Sequence, residues 1–321
     1  MAELDLLDKR IISELERNCK ISISNIAKKL KVSKQRVSYR IKNLELNRFI
    51  LGYSCILDTS KLGYTTYRIY IKFQNTSKED KIKIIKDICS YNNIPQAIAI
   101  DNIWDFAFGI VVKVTPDFHK VWVDILKKYK ENIDKYHISI CAPIYSYTRD
   151  FLNPDTITEP PKLRVFGDCE KVDYDKNDII ILKELAKNIR RPIVEIAQSI
   201  NRNPQFIINR IKELEKKEII KGYKPDLDWN KFGYTYYKIF INLSNFKKYN
   251  EMFKYCESNL QIFQIYKTIG GWDLEIEIYA KNLVDFKKIM SELQDKFNDC
   301  IKNYFYFTVG NIHKEIVVPF E

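Results

Sequence analysis

Arg40-Ile41-Lys42-Asn43-Leu44-Glu45, followed by Ile50-Leu51-Gly52-Tyr53, returns 170 residues later as Arg210-Ile211-Lys212-Glu213-Leu214-Glu215 and Ile220-Lys221-Gly222-Tyr223. The match runs outward without a gap over residues 5–73 and 175–243, and roughly 27 of the 69 paired positions are identical, far above chance for unrelated segments. Leu57-Asp58 and Gly63-Tyr64-Thr65 recur as Leu227-Asp228 and Gly233-Tyr234-Thr235. The chain is a tandem duplicate fused into one polypeptide. Its 321 residues exceed one ordinary core and agree with several small domains.

Each copy opens as three short helices. In the first, Leu7, Ile11, Ile12 and Leu15 fall at helical spacing over 6–17, and a second helix is expected around Ile23, Ile26, Ala27 and Leu30 with Ser22 as its cap. After Lys31-Val32, Ser33 caps a third helix with Val37, Ile41 and Leu44 on one face. The pattern is a helix-turn-helix. With those apolar residues turned inward, Lys34, Gln35, Arg36, Ser38, Tyr39 and Lys42 occupy the exposed face. Such a helix fits a major groove, where Gln pairs with adenine and Arg with guanine while Lys and hydroxyl groups hold phosphates.

The corresponding DNA-binding set in the second copy is Gln205, Asn209, Arg210 and Lys212, because Lys34, Arg36, Ser38 and Tyr39 are replaced by Pro204, Phe206, Ile208 and Asn209. Asn203-Pro204 still makes a sound cap and first turn. Arg40 and Arg210 belong to the set, but they persist where the rest of the basic face changes, which favours a structural or phosphate-holding role over base reading. Residues 20–48 carry nine Lys/Arg against one acid, whereas 190–218 carry seven against four. Affinity for DNA depends steeply on such charges, so the first copy is expected to be the stronger reader. Across the chain 53 Lys+Arg face 42 Asp+Glu, a balance that favours a polyanionic partner.

Other chemistries find little support. Cys19, Cys55, Cys89, Cys141, Cys169, Cys256 and Cys300 are scattered singly with no CxxC pair, which argues against zinc and against a disulfide framework. His119, His137 and His313 are the only histidines, and none stands at ligand or triad spacing beside Cys, Asp or Glu. No catalytic residue, metal or cofactor is expected. A run of about 18 apolar residues is absent and Met1-Ala2-Glu3-Leu4-Asp5 lacks the basic start of a signal peptide, so the expectation is a cytoplasmic protein that does not meet a membrane.

Beyond each helix-turn-helix the periodicity turns from helical to alternating. Strands are predicted at 64–73, 96–101, 104–114 and 136–148 with helices at 78–91 and 117–131; the second copy repeats this with strands at 234–243, 261–269, 272–280 and 302–310 and helices at 247–258 and 282–296. The order βαββαβ is ferredoxin-like. The expected domains are 1–58 and 175–228 for the helix-turn-helix units, 59–152 and 229–321 for the ferredoxin-like units, and a linker at 153–174. That linker contains Asn153-Pro154, Glu159-Pro160-Pro161 and Gly167-Asp168 and is expected to be extended and without regular structure.

The run Leu185-x-x-Asn188-x-Arg190-x-Pro192-x-x-Glu195-Ile196-Ala197, with Arg210-Ile211-x-x-Leu214-Glu215 and Ile220-x-Gly222-Tyr223, closely resembles the DNA-binding half of the Lrp/AsnC family of prokaryotic transcription regulators. The resemblance covers nearly the whole chain twice. It implies an α+β protein with two copies of a winged-type helix-turn-helix followed by a ferredoxin-like domain, a regulator of transcription rather than an enzyme, and double-stranded DNA as partner. Proteins of this family dimerise through the ferredoxin-like module and bind a small, often amino-acid-like effector near a Gly-x-x-Asp turn. Here that turn is Gly270-Gly271-Trp272-Asp273, with Gly270, Gly271 and Asp273 as the ligand-binding candidates; a plain hairpin turn with a packed Trp272 reads equally well. The first copy has Asp101-Asn102-Ile103-Trp104-Asp105 instead and lacks both glycines. Single-copy relatives work as dimers, so the fusion implies an intrachain pseudo-dimer, with further homo-oligomers open.

Two competing readings remain. Siroheme decarboxylases share this layout and occur as fused pairs, and Asn102-Ile103-Trp104 faintly resembles their Asn-Leu-Trp element. An architectural DNA-binding protein with little sequence preference would show the same charge and self-association.

Overall fold

Side chains set the ends of the helices that open the first copy. In α1 (Leu6–Arg17), Asp5 and Asp8 form a reciprocal capping box; Ser22 and Ser33 cap α2 (Ile23–Leu30) and α3 (Lys34–Leu46) by accepting from the N–H groups of Asn25 and Arg36. The copy continues through β1 (Ile50–Leu57), β2 (Thr65–Phe73), α4 (Lys78–Ser90), β3 (Gln96–Asp101), β4 (Phe106–Val112), α5 (Thr115–Tyr129) and β5 (Ile133–Tyr147), and a short strand β6 (Leu163–Phe166) follows. The second copy repeats the order as α6 (Lys176–Lys187), α7 (Ile193–Ser199), α8 (Pro204–Lys216), β7 (Ile220–Leu227), β8 (Thr235–Leu243), α9 (Tyr249–Ser258), β9 (Ile262–Ile269), β10 (Leu274–Ala280), α10 (Leu283–Lys296) and β11 (Ile301–Glu315). This computed structural model describes residues 4–152, 160–167 and 170–315. No helix among them is long and apolar enough to cross a membrane.

The fold is α+β, with a helix-turn-helix and a ferredoxin-like βαββαβ module in each copy, but the compact units do not follow chain order. One gathers both helix-turn-helix heads (Met1–Asp58, Tyr147–Arg164, Val172–Tyr234) and the other gathers both ferredoxin-like halves (Thr59–Ser146, Val165–Lys171, Thr235–Glu321). In the first unit the strand behind each head pairs with its counterpart from the other copy. β1 and β7 run antiparallel, with Tyr53 opposite Pro225 and Cys55 opposite Tyr223, so equivalent residues are related by a pseudo-two-fold axis. Across this seam α1 packs on β7 and α6 on β1.

Side chains repeat the symmetry. Arg190 lies over the Tyr53 ring at 3.5 Å and Lys20 over the Tyr223 ring at 3.7 Å; the two tyrosine hydroxyls donate to Glu45 at 2.5 Å and Glu215 at 2.6 Å. Arg190 also pairs with Glu45 at 2.9 Å, and Lys20 approaches Glu215 at 3.9 Å. Burial beside these groups pushes the Cys19 and Cys55 thiols up to about 12, which removes both as nucleophiles at neutral pH.

The expected linker is not devoid of regular structure, because β6 extends the sheet at β5. Its buried Arg164 explains the order: one guanidinium nitrogen donates to the carbonyl oxygens of Glu16 at 3.4 Å and Arg17 at 3.3 Å at the end of α1, where cations are favoured. Arg149 grips Glu16 through two bonds of 2.9 and 2.8 Å, and Asp150 holds Arg17 at 2.9 Å. Copy two has Ala186 in place of Glu16, so this clasp belongs to the first head. Of the proposed linker, residues 153–159, 168 and 169, including Pro154 and Asp168, lie outside the described residues.

In the second unit eight strands close on themselves in the order β2-β4-β3-β11-β8-β10-β9-β5, with β5 returning to β2. The long strands β5 and β11 do the joining. Each pairs with its own copy through its first half, Phe73 opposite Ile133 and Leu243 opposite Ile301, and with the other copy through its second half, Ile144 opposite Tyr266 and Ile312 opposite Ile98. β11 therefore runs to Glu315, past the predicted end at 310; Gly310-Asn311 breaks the apolar alternation, but the edge of β3 supplies partners for the backbone. Alternate residues of β2 serve two cores: Tyr67, Ile69, Ile71 and Phe73 meet the helices of their own copy, while Tyr70 joins Ile100, Trp104, Ala107, Phe240 and Phe307 between the copies.

That inner layer also holds four charges. Arg68 pairs with Glu275 at 3.0 Å, and Lys238 with Glu275 at 2.9 Å and Glu277 at 3.0 Å. Both cations lie over the Tyr266 ring, at 4.4 and 3.7 Å. Burial raises the Glu277 carboxyl, yet Lys238 and then Arg68 outweigh it and hold the group below its ordinary range. Removing one member of a buried ion set strands the others, so Glu275→Ala is expected to lower unfolding free energy by about 3–5 kcal/mol in urea denaturation. The double change Arg68→Met with Glu275→Leu should cost less than Glu275→Ala alone; a larger loss would show that the charges stabilise the native pairing outright.

Candidate nucleic-acid interface

The turn between α2 and α3 is built by Lys31, which takes φ 55° as the left-handed end of α2, while Ser33 starts the next helix. Val37, Ile41 and Leu44 are buried, and this fixes the rotation of α3. Lys34, Gln35, Arg36, Ser38, Tyr39 and Lys42 are all exposed, and among the described residues no hydrogen bond or ion pair engages their side chains. They form one exposed, basic face, suited to phosphate and base-edge contacts.

Arg40 stands apart from that face. It is half-buried and turned towards α1, where it pairs with Asp5 at 2.7 Å and Asp8 at 3.1 Å. Arg210 repeats this with Asp175 at 3.2 Å and Asp178 at 2.9 Å, and adds Glu213 at 2.9 Å. Each arginine thus ties the recognition helix to the capping box of the first helix in its own head. The Asp8 carboxyl is raised by burial, which Arg40 offsets only in part; the Asp5 carboxyl is lowered chiefly by the N–H of Asp8. These contacts account for the persistence of Arg40 and Arg210 and direct their guanidinium groups inward rather than to DNA.

The corresponding face of the second head is more engaged in contacts of its own. Gln205 donates to Asn209 at 2.9 Å, so each neutralises part of the other's hydrogen-bonding capacity. Arg202 lies over the Phe206 ring at 5.5 Å. Asn203 caps α8, accepting from the Phe206 N–H at 2.7 Å, but α7 has Pro192 at its N-cap position, with no side-chain cap bond, and is shorter than α2. Lys212 remains exposed.

The Gly270, Gly271 and Asp273 set is brought together, but its groups have protein partners. Gly270 takes φ 85°, as the turn requires. A Cβ on Gly271 would lie 2.8 Å from the His137 Nε2, so the close approach that glycine permits is taken by an imidazole from the other copy. Trp272 stacks on Phe240 with centroids 3.7 Å apart and meets His137 at 4.2 Å. Asp273 accepts from the Leu243 N–H at 2.7 Å, and Asp105 does the same for Phe73 at 2.8 Å. The shared Asp is thus a staple between the turn and the first strand of the module in both copies, with or without glycines.

Periodicity alone overlooks the seam residues Lys20, Arg190, Tyr53, Tyr223, Glu45 and Glu215. Their recurrence at one offset is the signal that marks them. His137 carries no such signal, since Phe305 occupies the matching place. Burial lowers the His137 pKa, with Glu275 offsetting part of the effect, and its Nε2 finds no hydrogen-bond partner among the described residues. A folded-state pKa below the unfolded 6.5 means the unfolded chain binds the proton more readily, so this contribution is complete above the unfolded value and is lost as pH falls below it. Urea midpoints at about pH 7.5 and about pH 5 should therefore differ less for His137→Phe than for wild type; equal differences would remove His137 as the cause.

Residues 4–45 match the AsnC-type helix-turn-helix domain and residues 174–221 match a winged helix-turn-helix DNA-binding model. An uncharacterized HTH-type transcriptional regulator of Pyrococcus abyssi is 30% identical over 128 residues, covering 39% of this chain and 85% of that protein. The regulatory protein AsnC of Haemophilus influenzae is 28% identical over 120 residues, 37% of this chain and 80% of that protein. Among solved structures, the siroheme decarboxylase NirDL superposes with a TM-score of 0.65 over 98% of this chain and 94% of its own, at 9% identity, a likeness of fold.

Proposed function

Since this chain belongs to the Lrp/AsnC family of helix-turn-helix transcription regulators, we propose that it is a sequence-specific DNA-binding regulator read out mainly through α3 of the first copy. The observation that carries this reading is the contrast between the two recognition helices. Lys34, Gln35, Arg36, Ser38, Tyr39 and Lys42 stand exposed with no side-chain partner among the described residues, whereas Gln205 and Asn209 bond to each other. Unequal heads suit an asymmetric site better than a palindrome. The intrachain pseudo-dimer supplies both heads from one polypeptide.

Sequence-specific and architectural binding differ in how they respond to loss of a base contact. Binding to the DNA upstream of the protein's own gene, against unrelated DNA across a salt series, should favour the former for wild type and for Asn209→Ala. Arg36→Ala should lose about 1–3 kcal/mol of discrimination at one base position. Uniform weakening on all sequences would instead support a packing protein.

The fold likeness to NirDL favours one second reading, decarboxylation of a tetrapyrrole. A polycarboxylate substrate needs free cations, and the half-buried Arg68 and the buried Lys238 are committed to Glu275 and Glu277; His119 is exposed on α5. This supports regulation over catalysis. Incubation with siroheme is expected to return it unchanged, and any decarboxylated product would reverse the assignment. Effector control at Gly270, Gly271 and Asp273 would require His137 to move, so it enters the proposal only if calorimetry with the common amino acids gives heat.

A further inference from the structure

The reading face of the first head is not polar throughout. Ile23, the first residue of α2, is 40% exposed and Tyr39 on α3 is 64% exposed. With Lys34, Gln35 and Ser38 they line one shallow, open cleft at the reading end of the helix. Single exposed apolar residues are ordinary; here two converge on one cleft, flanked by an amide and an ammonium group.

In a major groove the one apolar group on any base edge is the thymine C5 methyl, and the adenine paired with it offers the N6 and N7 atoms that a Gln side chain matches. The surrounding charge suits only a polyanion: Lys34 lines the cleft itself, and Arg36 and Lys42 are exposed on the same helix. We propose that the cleft between Ile23 and Tyr39 receives a thymine methyl group of duplex DNA, with Gln35 placed on the adenine of the same or the neighbouring A·T pair. The inference rests on the DNA-binding reading above and assigns its specificity. The second head lacks the device, because Ser38 and Tyr39 become Ile208 and Asn209 and the Gln205 amide is held by Asn209. The methyl requirement therefore falls on one end of the bound site.

Uracil differs from thymine only by the missing methyl group, so base substitution in the DNA tests the cleft without altering the protein. The full-length protein selects duplexes from a randomised pool, and a selected duplex is remade with uracil at each thymine in turn, at one salt concentration. Wild type is expected to lose about three- to five-fold in affinity at one thymine near one end, the worth of a methyl-sized group removed from water. Tyr39→Ala, whose exposed side chain adds little to folding, should bind the thymine duplex about three- to five-fold more weakly than wild type and bind both versions of that duplex alike. If thymine and uracil duplexes bind wild type equally, or if Tyr39→Ala still discriminates, the cleft assignment is overturned and the DNA-binding reading stands. If no duplex is enriched at all, the DNA-binding reading fails and the inference with it.

Discussion

Backbone pairing between the copies is the constraint on which the molecule depends. An open sheet edge leaves N–H and C=O groups unpartnered and invites association, and each copy taken alone would carry several such edges. β1 is covered by β7, β3 by the far half of β11, and β9 by the far half of β5. The duplication is therefore more than a repeat in sequence. Each half completes the other, first through the seam that sets two heads about a pseudo-two-fold axis, then through the closed sheet of the ferredoxin-like unit.

Charge reinforces this pairing of unlike halves. The positions in copy one that match Glu275 and Glu277 are Ala107 and Gly109, while Arg68 and Lys238 match each other. Two copies of the first half would bring two inward-facing arginines together with no carboxylate, and two of the second would set four carboxylates against two lysines. Only one of each balances. Buried ions are a weak source of stability but a strong penalty when unmatched, so the tetrad favours the pairing seen. The two heads differ as well: in the second Gln205 bonds to Asn209, while in the first Lys34, Gln35, Arg36, Ser38, Tyr39 and Lys42 stand exposed and α1 is clasped by Arg149, Asp150 and Arg164.

Much of this was legible from the residues, for reasons that also explain the gaps. The three-helix heads declare themselves through 3.6-residue apolar spacing and Ser caps, and the alternation along β2 and β8 marks strands. Arg40 and Arg210 hinted at a structural role by persisting where their neighbours changed. Alternation misleads at β10, because Leu274-Glu275-Ile276-Glu277-Ile278 reads as one apolar and one solvated face, yet both carboxylates are buried; the pattern says that the faces differ, not that the polar one meets water. Cross-copy pairing lies beyond local patterns altogether. The turn at Gly270 and Gly271 illustrates the same limit, since its tight approach serves a histidine more than a hundred residues away.

The central claim is that one chain carries two heads of unequal reach on a pseudo-symmetric frame. Hydroxyl-radical footprinting of the protein on a selected duplex tests it most directly. The account predicts strong protection of one half-site, with weaker or absent protection at the position related to it by two-fold symmetry. Equal protection of two inverted half-sites would contradict it.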